Sequence, residues 1–384
     1  MPSDFRNLPV REVETRISRF KQRVSDAQKA HPPTKDWVRK TFRGEGDGRC
    51  PTRLNRLSLD IMLRYGDDLA DLFCEFPDDV ICIYPYDFAI GHQPADQPDR
   101  INPLEVMTRD ARWTDEWGVG WGHADGGVGA RPVEYPIQDW SQLDDYLTRI
   151  PDARAPGRLD DAAKVLDAHG GDTYCLGVFV LSLFERLHTL RNMEQLFLDF
   201  HDHEAKVQRL LDALEHHALE MARYWAELGA DGVYFTDDWG TQRAMMISPA
   251  MWRKFFKPRY ARLFAETHRL EMDVFFHSCG NITQIVEDLI EIGVDILDPI
   301  QPLAMDVKEV ARQFGGRVTF SGAVDDQELL CRGTPRQVKD TVRDLIETLG
   351  RPFGGRYLIA PANVMVPDIP LENVQALFEA AHGQ

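Results

Sequence analysis

His277 and Cys279 stand two residues apart in the stretch FFHSCG, at the end of an apolar, β-rich run. There the chain leaves strand geometry, so an imidazole and a thiol separated by one residue turn toward the same side. Zinc accepts both ligand types, and a catalytic zinc needs three protein ligands and an open position. A zinc so held activates a substrate oxygen or sulfur by Lewis acidity. Read as packing instead, Cys279 is a small buried hydrophobe and His277 a hydrogen-bonded core residue.

Asp237 and Asp238 close the run before it. Adjacent strand residues point to opposite sides, so one carboxylate enters a site while the other braces a loop or caps a helix. The inward one can act as general acid or base, bind a metal or hold a polar substrate. Other histidines carry less. His201 and His203 fall two apart in a predicted helix and share no face, and His216 and His217 are expected to be solvated on a polar helix surface. Trp113, Trp117 and Trp121 crowd a Gly-rich stretch, where they line an aromatic pocket or pack within a lid. No G-x-G-x-x-G opens a helix after a strand and no G-x-x-x-x-G-K-[ST] occurs, so nucleotide cofactors lack support. A serine triad lacks support too, because there is no G-x-S-x-G elbow.

Elements that must hold these residues recur along the chain. Short β-rich runs at 80–84, 173–180, 232–236, 274–277, 295–297, 318–321 and 357–360 are each followed by a helical pattern. Ser248-Pro249 opens one helix with an N-cap and an N1 proline. Thr334-Pro335 opens another, running to Leu349 and stopping at Gly350. Asn281 caps the helix after His277, which ends near Gly293, and a long helical stretch covers 193–228. Strands alternating with helices imply a parallel sheet, and seven such units point to an α/β fold of the (β/α)8 TIM-barrel type. The eighth strand has no clear place. The stretch 113–135 is a candidate, though it reads better as loops or a hairpin over the barrel mouth. Residues 1–75 look helical and form an N-terminal extension that decorates or dimerises the barrel of 76–384, the two making one structural unit.

A barrel builds its active site at the C-terminal ends of its strands. Those ends carry Glu185 with Arg186, then Asp237, Asp238 and Trp239, then His277 and Cys279. Asp298 and Gln301 follow, then Ser321 with Asp325, and finally Asn363. Acids, amides and the His-x-Cys pair therefore meet on one face.

Composition narrows the partners. Of 384 residues, 44 are Lys or Arg and 62 are Asp or Glu, a net charge of −18 that repels nucleic acid and anionic membranes. The first thirty residues are studded with charge and hold no secretory signal. The longest apolar stretch, 174–184, is about half the ~20 residues a spanning helix needs. Six cysteines without paired spacing exclude a disulfide framework. A cytoplasmic protein is expected.

Several ordered motifs resemble the uroporphyrinogen decarboxylase-like superfamily. They are FFHSCGNITQIVEDLIEIGVDILDPIQP (275–302), YFTDDWGTQ (234–242), ISPAMWRKFFKPRY (247–260), FSGAVDDQ (320–327) and IAPANVMVPDIPLENV (359–374). The resemblance implies a (β/α)8 barrel and one of two activities. True uroporphyrinogen decarboxylases carry an N-terminal R-Q-A-G-R type motif that grips substrate carboxylates, and none is found here. The corrinoid-linked methyltransferases and O-demethylases carry H-x-C followed far downstream by another Cys. His277 and Cys279 match the first half, whereas 360–363 holds no Cys and places Asn363 where many relatives have His. The third metal ligand then falls to Glu185, Asp237 or Asp238.

On this resemblance the chain is expected to move a methyl group from a small O-methyl substrate to a corrinoid protein. Zinc would be held by His277, Cys279 and a carboxylate, Glu185 being the first candidate. Asp237 or Asp238 would orient substrate or trade a proton. Trp239, Gln242, Gln301 and Asn363 would wall the substrate. The corrinoid would arrive on a partner, since the chain shows no cobalamin-binding domain of its own, and homodimerisation is expected from the resemblance. The alternatives are a metal-free decarboxylase, for which only Arg186 and Arg243 are obvious cations near strand ends, and a non-catalytic ligand- or partner-binding barrel.

Overall fold

A computed structural model describes residues 8–384 except 88, 95, 98–99, 105–111 and 124–129. Seven strands form one parallel sheet: β1 (Val80–Ile83), β5 (Tyr174–Phe179), β6 (Gly232–Thr236), β7 (Asp273–His277), β8 (Ile296–Ile300), β9 (Thr319–Val324) and β10 (Tyr357–Pro361), side by side in that order. All seven expected runs are strands. The eighth position is filled from the N-terminal region. Thr52 bridges Ile359 in parallel, Arg53 N–H donates to the Ile359 carbonyl at 2.9 Å, and Val80 N–H donates to the Thr52 carbonyl at 3.1 Å. Residues 51–53 thus lie between β10 and β1 and close the ring. Three residues carrying a proline are too short to show strand periodicity, which is why the sequence grouped them with the helical extension.

The stretch considered for the eighth strand forms a separate antiparallel sheet of β2 (Arg112–Thr114), β3 (Gly120–His123) and β4 (Ala130–Glu134). Asp115, in the turn after β2, accepts from the backbone of Trp117 and Val119 and from Trp121 Nε1, each at 2.9 Å. Trp117 and Trp121 are buried in this packing.

Two apolar cores result. Side chains pointing into the ring, among them Val80, Leu176, Val178, Phe275, Ile296 and Leu358, fill its lumen. Helix α1 (Val10–Ala30) is followed by α2 (Lys35–Phe42), whose Val38 and Phe42 join that lumen core and plug the N-terminal end. Lys35 and Arg39 fasten the plug to the buried Asp231 at 2.9 and 2.5 Å. The larger core lies between the strands and the outer helices. With one end plugged, chemistry is left to the other.

Local signals act as expected at helix starts. Ser248 accepts from Met251 N–H ahead of Pro249, and Thr334 forms a capping box with Gln337. The expected 193–228 helix breaks at His203 into Met193–Asp202 and Glu204–Glu227. His216 is exposed, but His217 is buried, which corrects the expectation for it. Its Nδ1 lies 3.0 Å from the Pro151 carbonyl and its ring packs on Trp117 and Phe179. Among the described residues no helix is long and apolar enough to cross a membrane.

Candidate metal centre

β7 ends at His277, whose ring is almost wholly buried at the open end of the barrel. Its Nδ1 lies 2.7 Å from Asp298 Oδ2 and 3.0 Å from the Tyr234 hydroxyl, which itself donates to Asp298 Oδ2 at 2.7 Å. With the hydroxyl proton committed to Asp298, the hydrogen-bond network assigns the imidazole proton to Nδ1. Nε2 is left with a free lone pair, 3.4 Å from Cys279 Sγ and 3.5 Å from Asp238 Oδ1.

Asp298 anchors this arrangement. Its buried carboxylate accepts from Arg53 Nη2 and Ser321 Oγ, both at 2.7 Å, and from Arg56 Nη1 at 3.4 Å. Burial alone would raise its pKa, but the Arg53 and Arg56 charges and the His277 bond hold it well below the usual carboxylate range. Arg53 also lies over the rings of Tyr234 and Phe275. Arg53, Arg56 and Tyr234 are the site residues that sequence reasoning missed. The two arginines come from the segment that closes the ring, and R-x-x-R just after Cys50-Pro51 was the available signal.

The two adjacent aspartates divide as strand geometry requires. Asp238 Oδ1 accepts from Cys279 N–H at 2.8 Å and turns to the mouth. Asp237 is fully buried and accepts backbone N–H groups from Leu183 (3.1 Å), Phe184 (2.7 Å) and Glu185 (2.6 Å), with the Tyr260 hydroxyl as a fourth donor. It braces the turn after β5. Burial pushes its pKa up to about 7 against those hydrogen bonds. Glu185, on that turn, has Oε2 3.5 Å from Thr236 Oγ1. Burial, then the charges of Asp238 and Asp237, push its carboxyl well above the usual range.

Asp238, His277 and Cys279 offer one ligand atom each, all within 4.8 Å of one another. Tetrahedral zinc with S, N and O ligands at their usual bond lengths separates donor atoms by roughly 3.3–3.6 Å. The His277–Cys279 and His277–Asp238 spacings of 3.4 and 3.5 Å match that geometry. The His277 tautomer fixed by Asp298 is the one in which metal-binding histidines are commonly held. Burial, then the Asp238 charge, raises the Cys279 thiol pKa, a cost that a cation would reverse. The donor set therefore fits zinc, with Asp238 rather than Glu185 at the third corner.

Of the residues expected to wall a substrate, Asn363 Nδ2 sits 3.9 Å from Cys279 Sγ. Trp239 is buried, stacked 4.4 Å from Phe184, and its backbone N–H donates to Ser278 Oγ at 2.9 Å. Gln301 accepts from Gly280 N–H at 2.8 Å, and Gln242 donates to the Leu303 carbonyl at 3.1 Å on the exposed rim. Arg186 is buried beneath Trp117 and lies 3.5 Å from Asp115, while Arg243 is exposed.

Fold and site together define a TIM-type α/β barrel with an imidazole–thiol–carboxylate cluster at its C-terminal rim. The chain belongs to the uroporphyrinogen decarboxylase (URO-D) family, whose model matches residues 121–384. It is 25% identical over 173 residues to methylcobamide:CoM methyltransferase MtaA of Methanosarcina barkeri, covering 45% of this chain and 48% of that one. It is 28% identical over 180 residues to the uroporphyrinogen decarboxylase of Thermus thermophilus, covering 46% and 48%. The aligned part thus spans about half the length of these curated relatives. A solved methyltransferase from Methanosarcina mazei shares the fold, with a TM-score of 0.66 at 18% identity, covering 92% of this chain and 99% of that one.

Proposed function

We propose that this chain is a zinc-dependent methyltransferase that moves a methyl group from a small O-methyl substrate to a corrinoid carried by a partner protein. The observation that carries the reading is that His277 Nε2 stands 3.4 Å from Cys279 Sγ and 3.5 Å from Asp238 Oδ1, with His277 oriented from behind by Asp298. Matches to methyltransferases with methylcobamide in their names support it. Bound zinc would supply Lewis acidity toward the ether oxygen. With a partner-borne Co(I) corrinoid as methyl acceptor, the O–CH3 bond would break in favour of that acceptor and the leaving oxygen would take up a proton. Glu185, buried beside the aspartates with its carboxyl pushed well above the usual range, would supply that proton. Asp237 keeps the Glu185 turn in place, and Asn363 and Gln242 meet the substrate at the rim. Six free cysteines are consistent with a reducing cytoplasm.

The test begins with elemental analysis of chain purified without chelator, as wild type and as Cys279→Ser. About one zinc per chain, absent from the variant, is expected, followed by demethylation of methoxylated compounds with a Co(I) corrinoid protein. Folded protein without metal, or full activity in Cys279→Ser, overturns the reading. A metal-free decarboxylase is favoured by one observation, the presence of Arg53 and Arg56 at the mouth. Both are tied to Asp298, so a substrate acid would have to be met by the more open Arg56. Decarboxylation that survives metal removal and is lost in Arg56→Gln would select it.

A further inference from the structure

A cavity of about 370 Å3 opens on the flank of the barrel between α1, α3 (Leu59–Glu75), β1 and the helix Asp160–His169. None of the three metal-donor residues lines it. Its volume lies in the range that holds a small-molecule ligand. Phe20, Val24, Met62, Phe73 and Ile81 give it an apolar interior, and Lys21, Lys29 and Lys164 stand along its lining. Lys21 and Lys29 have no ion-pair partner among the described residues. Among the described residues Lys164 pairs only with Asp161, where both side chains are mostly exposed and the pair is weak. On a chain of net charge −18 this is a local reversal of sign.

His169 lines the same cavity, is 7% exposed, and has Nε2 3.1 Å from Ser25 Oγ, so a hydroxyl–imidazole pair stands in the lining beside the lysines. At the inner wall the Asp78 carboxylate is consumed by the N–H groups of Leu54 (2.6 Å) and Asn55 (2.8 Å). It places negative charge at that end and disfavours a second acid there. It also ties the cavity to the segment that carries Arg53 and Arg56.

We propose that this cavity binds a small amphipathic monocarboxylate, its apolar body against Phe20, Met62 and Phe73 and its carboxylate among Lys21, Lys29 and Lys164. Ser25 and His169 form the polar contact beside the head group. A neutral molecule leaves the lysines unanswered, and a dianion meets Asp78. The inference is independent of the metal centre.

Isothermal titration calorimetry of the full chain with decanoate, kept below its micellar concentration, tests it. One site is expected. Octanoate should bind on the order of tenfold more weakly, because each methylene contributes about fourfold. Decanol, and decanoate on the Lys21→Gln/Lys29→Gln double variant, should each bind about tenfold more weakly or worse. Ala168 is exposed and lines the cavity, so Ala168→Phe should fill it and abolish binding while the melting temperature and zinc content stay unchanged. No saturable 1:1 binding to wild type, or equal decanoate affinity in wild type, the double variant and Ala168→Phe, overturns the proposal.

Discussion

Nδ1 of His277 and Oδ2 of Asp298 lie 2.7 Å apart, and that contact decides which nitrogen of the ring meets Cys279. The carboxylate can do this because Arg53 and Arg56 keep it ionised inside the barrel. Two arginines from before β1 therefore set the tautomer of a histidine at the end of β7, more than two hundred residues later in the chain.

Asp298→Asn should weaken this chain of contacts at two points. An amide still accepts from His277, but it orients the ring less firmly, and zinc affinity should fall 10–100-fold, as is typical for such partners. Arg53 and Arg56 would lose their only carboxylate among the described residues, at a cost of about 3–5 kcal/mol in stability. Zinc competition against a chromophoric chelator and urea unfolding measure the two effects. Wild-type zinc affinity in the variant would show that Asp298 does not orient the ligand.

Asp238 and Glu185 can be separated by substitution. Asp238→Asn should lose zinc, because in the proposed centre Asp238 Oδ1, 3.5 Å from His277 Nε2, is the third donor. Glu185→Gln should keep one zinc per chain but slow single-turnover methyl transfer on the order of 10²–10⁴-fold, the usual worth of a general acid. Elemental analysis and rapid-quench kinetics distinguish them. The reverse pattern would give the metal to Glu185.

Asp237 predicts a stability defect in place of a metal defect. Asp237→Ala strands the buried backbone N–H groups of Leu183 and Phe184, the half-buried one of Glu185, and the Tyr260 hydroxyl. Unfolding free energy should drop by at least about 3 kcal/mol. Asp237→Asn keeps one acceptor and should lose less. Zinc stoichiometry of the folded fraction should not change in either. Urea denaturation that matches wild type would mean the turn stands without its brace.

The legibility of these features in the sequence follows the range of the forces involved. Strand runs, helix caps and the His-x-Cys pair depend on neighbours within a few residues, so Ser248, Thr334 and Cys279 could be read directly. The split between Asp237 and Asp238 was readable as a rule of strand geometry, although which carboxylate faced inward depended on the turn at 183–185. Arg53 and Arg56 form an R-x-x-R in the sequence, but their role rests on a contact with Asp298 across the ring, which no local pattern shows. The same holds for residues 51–53, whose strand character comes from hydrogen bonds to Ile359 on one side and to Asp79 and Val80 on the other. His217 was misjudged because its polar helical neighbours say nothing about the antiparallel sheet that covers it.

His217 makes the stability of that cover depend on pH. Burial, then the nearby charges of Arg158 and Arg186, lower its pKa to about 3, against about 6.5 for an exposed histidine. The unfolded chain therefore binds the extra proton first. The stability that the neutral ring contributes is complete above pH 6.5 and is lost as pH falls from there toward 3. Each pH unit in that window should remove up to about 1.4 kcal/mol through this one group. His217→Phe keeps the ring contacts with Trp117 and Phe179 and removes the titration. It also gives up the Pro151 contact, so the absolute stabilities will differ, and the slope is the quantity to compare. Urea unfolding from pH 7 to 4 should give a shallower decline for the variant by about that amount per unit. His188, lowered to about 4 by burial, declines in the same direction in both proteins and cancels in the comparison. Parallel slopes would mean that His217 takes up its proton in the folded state, and that the sheet does not shield it from water.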